Sequence, residues 1–203
     1  MSTVSTITPP ASSEWDPSPE SIYRLTVDQY EAMVASGVFT KRDRFHLING
    51  ILVKKMTQHP PHVVTGELTR QELERFLPEG WHIRADRPLR IPKQSSVPEP
   101  DLVIARGSIR NYSKRHPGPT DVSLVIEVSD SSLKEDRKLA QVYAGGGVRV
   151  YWIVNLIDGQ VEVYTRPSQK GYRSRRDFTR GQVVPVIIDC VEVGQLAISA
   201  ILP

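Results

Sequence analysis

Pro98-Glu99-Pro100-Asp101-Leu102-Val103-Ile104-Ala105 and, 26 residues after Asp101, Leu124-Val125-Ile126-Glu127-Val128-Ser129 decide how this chain is read. In the second stretch Leu124, Ile126 and Val128 alternate with Val125, Glu127 and Ser129, the period-2 pattern of a strand buried on both faces. Glu127 is therefore embedded in an apolar strand, and Asp101 opens another at a proline-marked boundary. A carboxylate in such a setting is costly unless it is paired, hydrogen-bonded or bound to a metal. Two readings of the pair stand. Asp101 and Glu127 on neighbouring strands, with a strand carbonyl between them, make an all-oxygen site suited to Mg²⁺. Alternatively, Asp101 caps a turn and Glu127 pairs with a buried arginine.

Outward from this pair, the pattern predicts an α/β fold with a central mixed sheet. Thr26-Val27-Asp28-Gln29 reads as a capping box that opens a short helix with Val27, Tyr30 and Val34 on one side, stopped by Gly37. Asn49-Gly50, between two apolar runs, predicts a two-residue hairpin, and Asp158-Gly159 predicts a second. A helix is expected over residues 62–77, with Leu68, Leu73, Phe76 and Leu77 inside. Another is expected to open on a Ser132/Glu135 capping box and to stop at Gly145-Gly146-Gly147. Strands are predicted near residues 81–84, 88–91, 102–105, 124–129, 150–156 and 161–165, with weaker ones near 183–188 and 196–198.

Composition narrows the function classes. With 26 Lys+Arg against 23 Asp+Glu the formal charge is only +3, so a nucleic-acid role must rest on local clustering. The longest apolar run, residues 151–156, is far short of a bilayer span, and the first residues lack the basic and apolar regions of a secretory signal. One cysteine, Cys190, can neither close an internal disulfide nor anchor a zinc cluster. A cytoplasmic protein with no membrane partner is expected, and Cys190 reads as a buried structural thiol. Residues 1–20, rich in Ser, Thr and Pro, read as a disordered leader before one domain over residues 21–203.

Positive charge clusters twice. Arg106, Arg110, Lys114 and Arg115 share one acid-free loop directly after the Asp101 strand, which suggests phosphate contacts beside the carboxylates; a solubilising loop is the other reading. Arg166, Lys170, Arg173, Arg175, Arg176 and Arg180 form a second group of undecided role.

Several short segments, in order and spacing, carry a resemblance. They are Leu25-Thr26-Val27-Asp28-Gln29-Tyr30, His46-Leu47-Ile48-Asn49-Gly50, His59-Pro60-Pro61-His62, Leu77-Pro78-Glu79-Gly80-Trp81, Pro98-Glu99-Pro100-Asp101 and Arg115-His116-Pro117-Gly118. They continue through Glu127-Val128-Ser129-Asp130-Ser131-Ser132-Leu133, Asp136-Arg137 and Tyr151-Trp152-Ile153-Val154-Asn155-Leu156. With these the chain resembles the Uma family of restriction endonucleases, within the PD-(D/E)xK nuclease superfamily, from about Tyr23 to Pro203.

The resemblance implies a restriction-endonuclease-like core and a metal-dependent DNA endonuclease. Asp101 and Glu127 would hold Mg²⁺ (or Mn²⁺ as a substitute), with the Val128 carbonyl as third ligand, and a symmetric dimer would suit two cuts on a duplex. His62 matches a family histidine that either touches a phosphate or packs at a helix start, while His59 reads as a loop residue. Glu67 and Glu72 are candidates for an extra ligand or simply solvated. His46 stands where many relatives carry an acid. The superfamily lysine two residues after the acid is here Ser129, and the helix lysine of the Uma family falls at Leu139. Lys138, next door, points about 140° from Tyr143 at about 100° per residue. Lys134 and Lys138 could reach the site through flexible side chains, and Lys138 is the catalytic candidate. Without that lysine the alternative is a catalytically impaired DNA-binding or accessory protein on the same fold.

Overall fold

The computed structural model describes residues 18–40, 43–55 and 57–203. The leader expected at residues 1–20 therefore falls outside the described residues up to position 17, and Pro19–Ser21 form a short 3-10 turn.

Helix α1 (Val27–Ala35) opens as predicted: the Gln29 N–H donates to Thr26 Oγ1 at 3.2 Å, and the Thr26 N–H donates to Gln29 Oε1 at 2.9 Å. Val27 and Tyr30 are buried; Val34, expected beside them, is exposed. Strands β1 (Phe45–Ile48) and β2 (Ile51–Lys54) pair antiparallel across Asn49-Gly50, both at positive φ. This hairpin stands apart from the main sheet. It is tied down at β1, where the Val97 N–H donates to the Leu47 carbonyl at 2.7 Å, and at its turn, where the Gly50 N–H donates to the Ser95 carbonyl at 2.8 Å.

After helix α2 (Pro60–Glu74) come strands β3 (Trp81–Ala85), β4 (Leu102–Arg106) and β5 (Val122–Ser129), then helix α3 (Leu133–Gly146). Strands β6 (Val150–Asn155), β7 (Gln160–Ser168) and β8 (Gly171–Thr179) complete a six-stranded sheet in the order β3-β4-β5-β6-β7-β8. All neighbours are antiparallel except β5 and β6, which run parallel because α3 carries the chain back between them. A last hairpin, β9 (Val183–Ile188) and β10 (Val191–Ala197), leads into the single turn α4 (Ile198–Ile201).

The alternation along β5 divides the core. Leu124, Ile126 and Val128 face a layer built from α2, the β9–β10 hairpin and α4, together with Leu102, Ile104, Trp152 and Val154. Val125 faces α3 with Val103, Ala105, Tyr143, Tyr151 and Ile153. By the same period Glu127 and Ser129 share the α3 face, as does Asp101, two residues before Val103. A restriction-endonuclease-like mixed sheet flanked by helices, with additional hairpins, is thus present.

Several local expectations are corrected. The inner stripe of α2 is His62, Thr65, Thr69 and Leu73, a mostly polar row rather than Leu68-centred. Ser132 caps α3 without a side-chain cap bond; its hydroxyl is drawn four residues on to Asp136. The helix continues through Gly145 and Gly146 to a Gly147 cap at φ 96°, because those two glycines let it press onto neighbouring chain: a Cβ on Gly146 would lie 2.3 Å from Ile91 Cγ2. Residues 88–91 make one isolated bridge, Ile91 with Ser96, rather than a strand. Half of the second basic group, Arg173, Arg175 and Arg176, lies in strand β8, unforeseen because it lacks an apolar run. Cys190 is exposed, in the two-residue turn Asp189-Cys190 of the last hairpin. No helix among the described residues is long and apolar enough to cross a membrane.

Candidate active site

Asp101 and Glu127 come together as the strand pattern predicts; the backbone of Asp101 fixes Glu127, and the backbone of Val128 fixes Asp101. The Val128 N–H donates to Asp101 Oδ2 at 2.6 Å, and the Asp101 N–H donates to Glu127 Oε2 at 3.2 Å. Glu127 Oε1 accepts from the Tyr143 hydroxyl at 2.7 Å, a buried contact from α3 onto the sheet. No arginine pairs with Glu127 among the described residues, which removes the buried-arginine reading. Asp101 Oδ1 receives the Gln58 amide at 3.1 Å and lies 2.9 Å from His62 Nε2.

These groups floor a cleft of about 430 Å³ between the β1–β2 hairpin and α3. It is lined from the hairpin side by His46, Ile48, Val53, Lys54 and Lys55, and from the helix side by Ser132, Glu135, Asp136, Lys138, Leu139 and Val142. Asp136, in the first turn of α3, was not among the expected site residues. It is buried and accepts from Ser132 Oγ at 2.6 Å.

The electrostatics follow from crowding. Burial, then the charges of Asp101 and Asp136, push the Glu127 carboxyl well above the usual range. Burial likewise raises Asp136 to about 6, against the hydroxyls of Ser132 and Ser129. For His62, burial disfavours the cation, but the hydrogen bond and charge of Asp101 outweigh it, helped by Asp130 and Asp136; the net shift is upward. Across the cleft, burial and then Lys55 hold His46 down at about 4, so that imidazole is neutral near pH 7.

This donor set fits a hard divalent cation. Three carboxylates share the cleft with His62 as the basic group that touches them, and Asp101 and Glu127 each keep lone pairs unused by their protein donors. Mg²⁺ is commonly held by one or two carboxylates while retaining waters. No larger cluster is present: among the described residues, no group of three or more His, Cys, Asp and Glu side chains is arranged to hold a metal. Val128 engages the site through its N–H, a different atom from the carbonyl expected as a ligand.

The other expected residues divide. His62 lies at the site, at the first turn of α2. Lys138 is exposed on the α3 wall and Leu139 lies beside it. Ser129, where the superfamily lysine would stand, is fully buried. Glu67 and Glu72 are away from the cleft, paired with Arg70 at 2.8 Å and Arg75 at 3.0 Å. The loop carrying Arg106, Arg110, Lys114 and Arg115 follows the far end of β4, because Asp101 precedes the strand and Arg106 closes it. Five residues of strand, about 3.4 Å each, separate that loop from the carboxylates. Arg106 is paired with Asp189 at 2.8 Å and lies over Trp81; Arg115 is paired with Asp121 at 2.6 Å. Of the second basic group, Arg175 joins Arg137 around the fully buried Glu162.

Fold and site together define a mixed-sheet α/β protein with paired carboxylates on adjacent central strands beneath a crossover helix. The chain belongs to the Uma2 family, described as "Putative restriction endonuclease", whose model matches residues 27–189. Among solved structures it is similar to "a putative nuclease belonging to DUF820" from Anabaena variabilis ATCC 29413, with a TM-score of 0.67 and 14% identity over 87% of this chain and 97% of that one. At that identity the likeness shows a shared fold. No protein of curated function matches the sequence.

Proposed function

We propose that this chain is a metal-dependent nuclease that hydrolyses phosphodiester bonds in DNA, with Asp101 and Glu127 holding a divalent cation, Mg²⁺ or Mn²⁺. The observation that carries the reading is the convergence of Asp101, Glu127 and Asp136 in one cleft, where His62 is the basic side chain that touches them among the described residues. Family membership supports the reaction class. The cation, when bound, supplies Lewis acidity at the phosphate and lowers the pKa of an attacking water.

The chain's own residues prepare the site. The Val128 N–H and the Gln58 amide hold Asp101 against rotation, and Tyr143 holds Glu127. The Val128 carbonyl is a candidate third ligand. His62, on Asp101 Oδ1, orients that carboxylate and stands at the cleft for contact with a phosphate. Lys138, on the α3 wall, is the ammonium available to a phosphate oxygen from that side.

The test is nicking of supercoiled plasmid, and cutting of single-stranded circular DNA, in Mg²⁺, Mn²⁺ or EDTA. Metal-dependent cleavage that vanishes in Asp101→Ala and in Glu127→Ala is expected. Cleavage that survives both changes, or none on either substrate by folded protein, overturns the reading. In the second case the absence of the usual lysine at Ser129 and Leu139 favours a DNA-binding accessory protein.

A further inference from the structure

We propose that the cleft takes one unpaired nucleotide, so that single-stranded or locally unpaired DNA, rather than an intact duplex, is its ligand. The inference rests on the nuclease reading for its DNA and adds the form in which that DNA enters. It begins with depth. The acids lie on the floor: Glu127 is 7% exposed and the Asp101 side chain 14%. A phosphate reaching them must descend between the hairpin and α3, and the nucleoside attached to it descends with it. A base held in a paired stack cannot follow; a base out of the stack can.

The walls suit such a guest. Ile48 and Val53 from the hairpin and Leu139 and Val142 from α3 give the cleft aliphatic sides directly above a charged floor. A nucleotide has that same division, a flat apolar base face joined to an anionic phosphate. The volume, about 430 Å³, lies in the range of pockets that bury a single small organic ligand. Aliphatic sides accept any base face without reading its edge, so little sequence preference is expected.

Charge at the rim agrees. Lys54 on the hairpin and Lys138 on α3 are exposed, one per wall, and neither makes an ion pair among the described residues. Lys55, in the same lining, is committed to Glu99 at 2.7 Å. Two free ammonium groups on opposite walls suit the phosphates on either side of a buried nucleotide. The larger basic loop that a duplex would need lies at the other end of β4, with Arg106 and Arg115 already paired.

The experiment is fluorescence anisotropy in EDTA with a labelled 15-residue oligo(dT), free or annealed into a blunt duplex. It uses the full chain and the variants Val53→Asp, Lys54→Glu, Lys138→Glu and Arg110→Glu/Lys114→Glu. Val53, Lys54 and Lys138 are exposed, so their substitution leaves the core intact. Single strand is expected to bind at least tenfold more tightly than duplex, and each of the three cleft variants to weaken it severalfold or more. Equal affinities, no single-strand binding, or a loss confined to Arg110→Glu/Lys114→Glu overturns the inference. Cleavage separates the two claims. Asp101-dependent cutting of duplex as fast as single strand sustains the nuclease and sinks the unpaired nucleotide. Selective single-strand binding with no Asp101-dependent cutting does the reverse.

Discussion

The N–H of Asp101 donates to a carboxylate oxygen of Glu127 at 3.2 Å, while the N–H of the next residue along, Val128, donates back to Asp101 at 2.6 Å. Two carboxyl groups are thereby locked together between adjacent strands, with burial pushing Glu127 towards its protonated form. The divalent cation proposed for this pair would relieve the repulsion between them and bind the folded chain alone, and so would stabilise the protein by mass action. At about one hundred times its dissociation constant the gain is about 2.7 kcal/mol, or roughly 5–10 °C in Tm for a chain of this size. Thermal unfolding with and without Mg²⁺ checks this. The increment should vanish in Glu127→Ala; an equal rise in that variant would place the cation elsewhere.

His62 reports the charge on Asp101. Its folded pKa lies above the ordinary 6.5, so the pair contributes stability that is fully present below about pH 6.5 and is lost as pH rises through the folded value. In Asp101→Asn the largest raising contribution is gone while burial remains, which should bring the His62 pKa down. NMR titration of the ring protons measures it. An unchanged titration would mean that Asp101 does not set the charge of His62.

Much of this arrangement was legible in residue order, for identifiable reasons. The Thr26/Gln29 box and the Asn49-Gly50 turn are local chemistry, complete within four residues. The alternation around Glu127 placed it on the same sheet face as Asp101. What was hidden depended on tertiary direction. Strand β8 has arginines where an apolar run would mark it, because Arg175 lies over Tyr164 and Arg176 over Phe178 along its edge. The basic loop seemed near the carboxylates in sequence, but a strand intervenes and carries it to the opposite end of the sheet. In the α2 stripe Leu73 was legible and its polar members were not, because His62 serves the site and Thr69 returns its hydroxyl to the Thr65 carbonyl at 2.7 Å, so a buried row has no need to be apolar.

Gly146 tests how closely α3 must sit over the sheet. A Cβ there would meet Ile91 Cγ2 at 2.3 Å, so Gly146→Ala forces the helix or the Ile91 segment aside. Overpacking of this kind costs about 1–3 kcal/mol. Because α3 also carries Tyr143 onto Glu127, cleavage should fall with stability. Ile91→Ala removes the clashing atom but vacates a fully buried site, so the double variant should lose less stability than the two single changes summed. Urea unfolding of the single and double variants measures the coupling; strictly additive losses would show that the strain lies elsewhere.

Asp136 has the clearest pH signature. Its carboxyl is raised from 3.8 to about 6, chiefly by burial. Below about pH 3.8 it is protonated in both states and costs nothing. Between 3.8 and about 6 the unfolded chain ionises first, so stability falls as pH rises, and above about 6 the whole penalty, about 3 kcal/mol, is in force. Asn at this position still accepts from Ser132 Oγ but places no charge beside Glu127. In EDTA at pH 7.5, Asp136→Asn should be more stable than the parent by about 1–3 kcal/mol, and the difference should close towards pH 4. Denaturant unfolding at the two pH values decides it. A gap of the same size at both would mean that Asp136 acts through packing. A variant less stable at pH 7.5 would mean that its charge is already compensated within the folded chain.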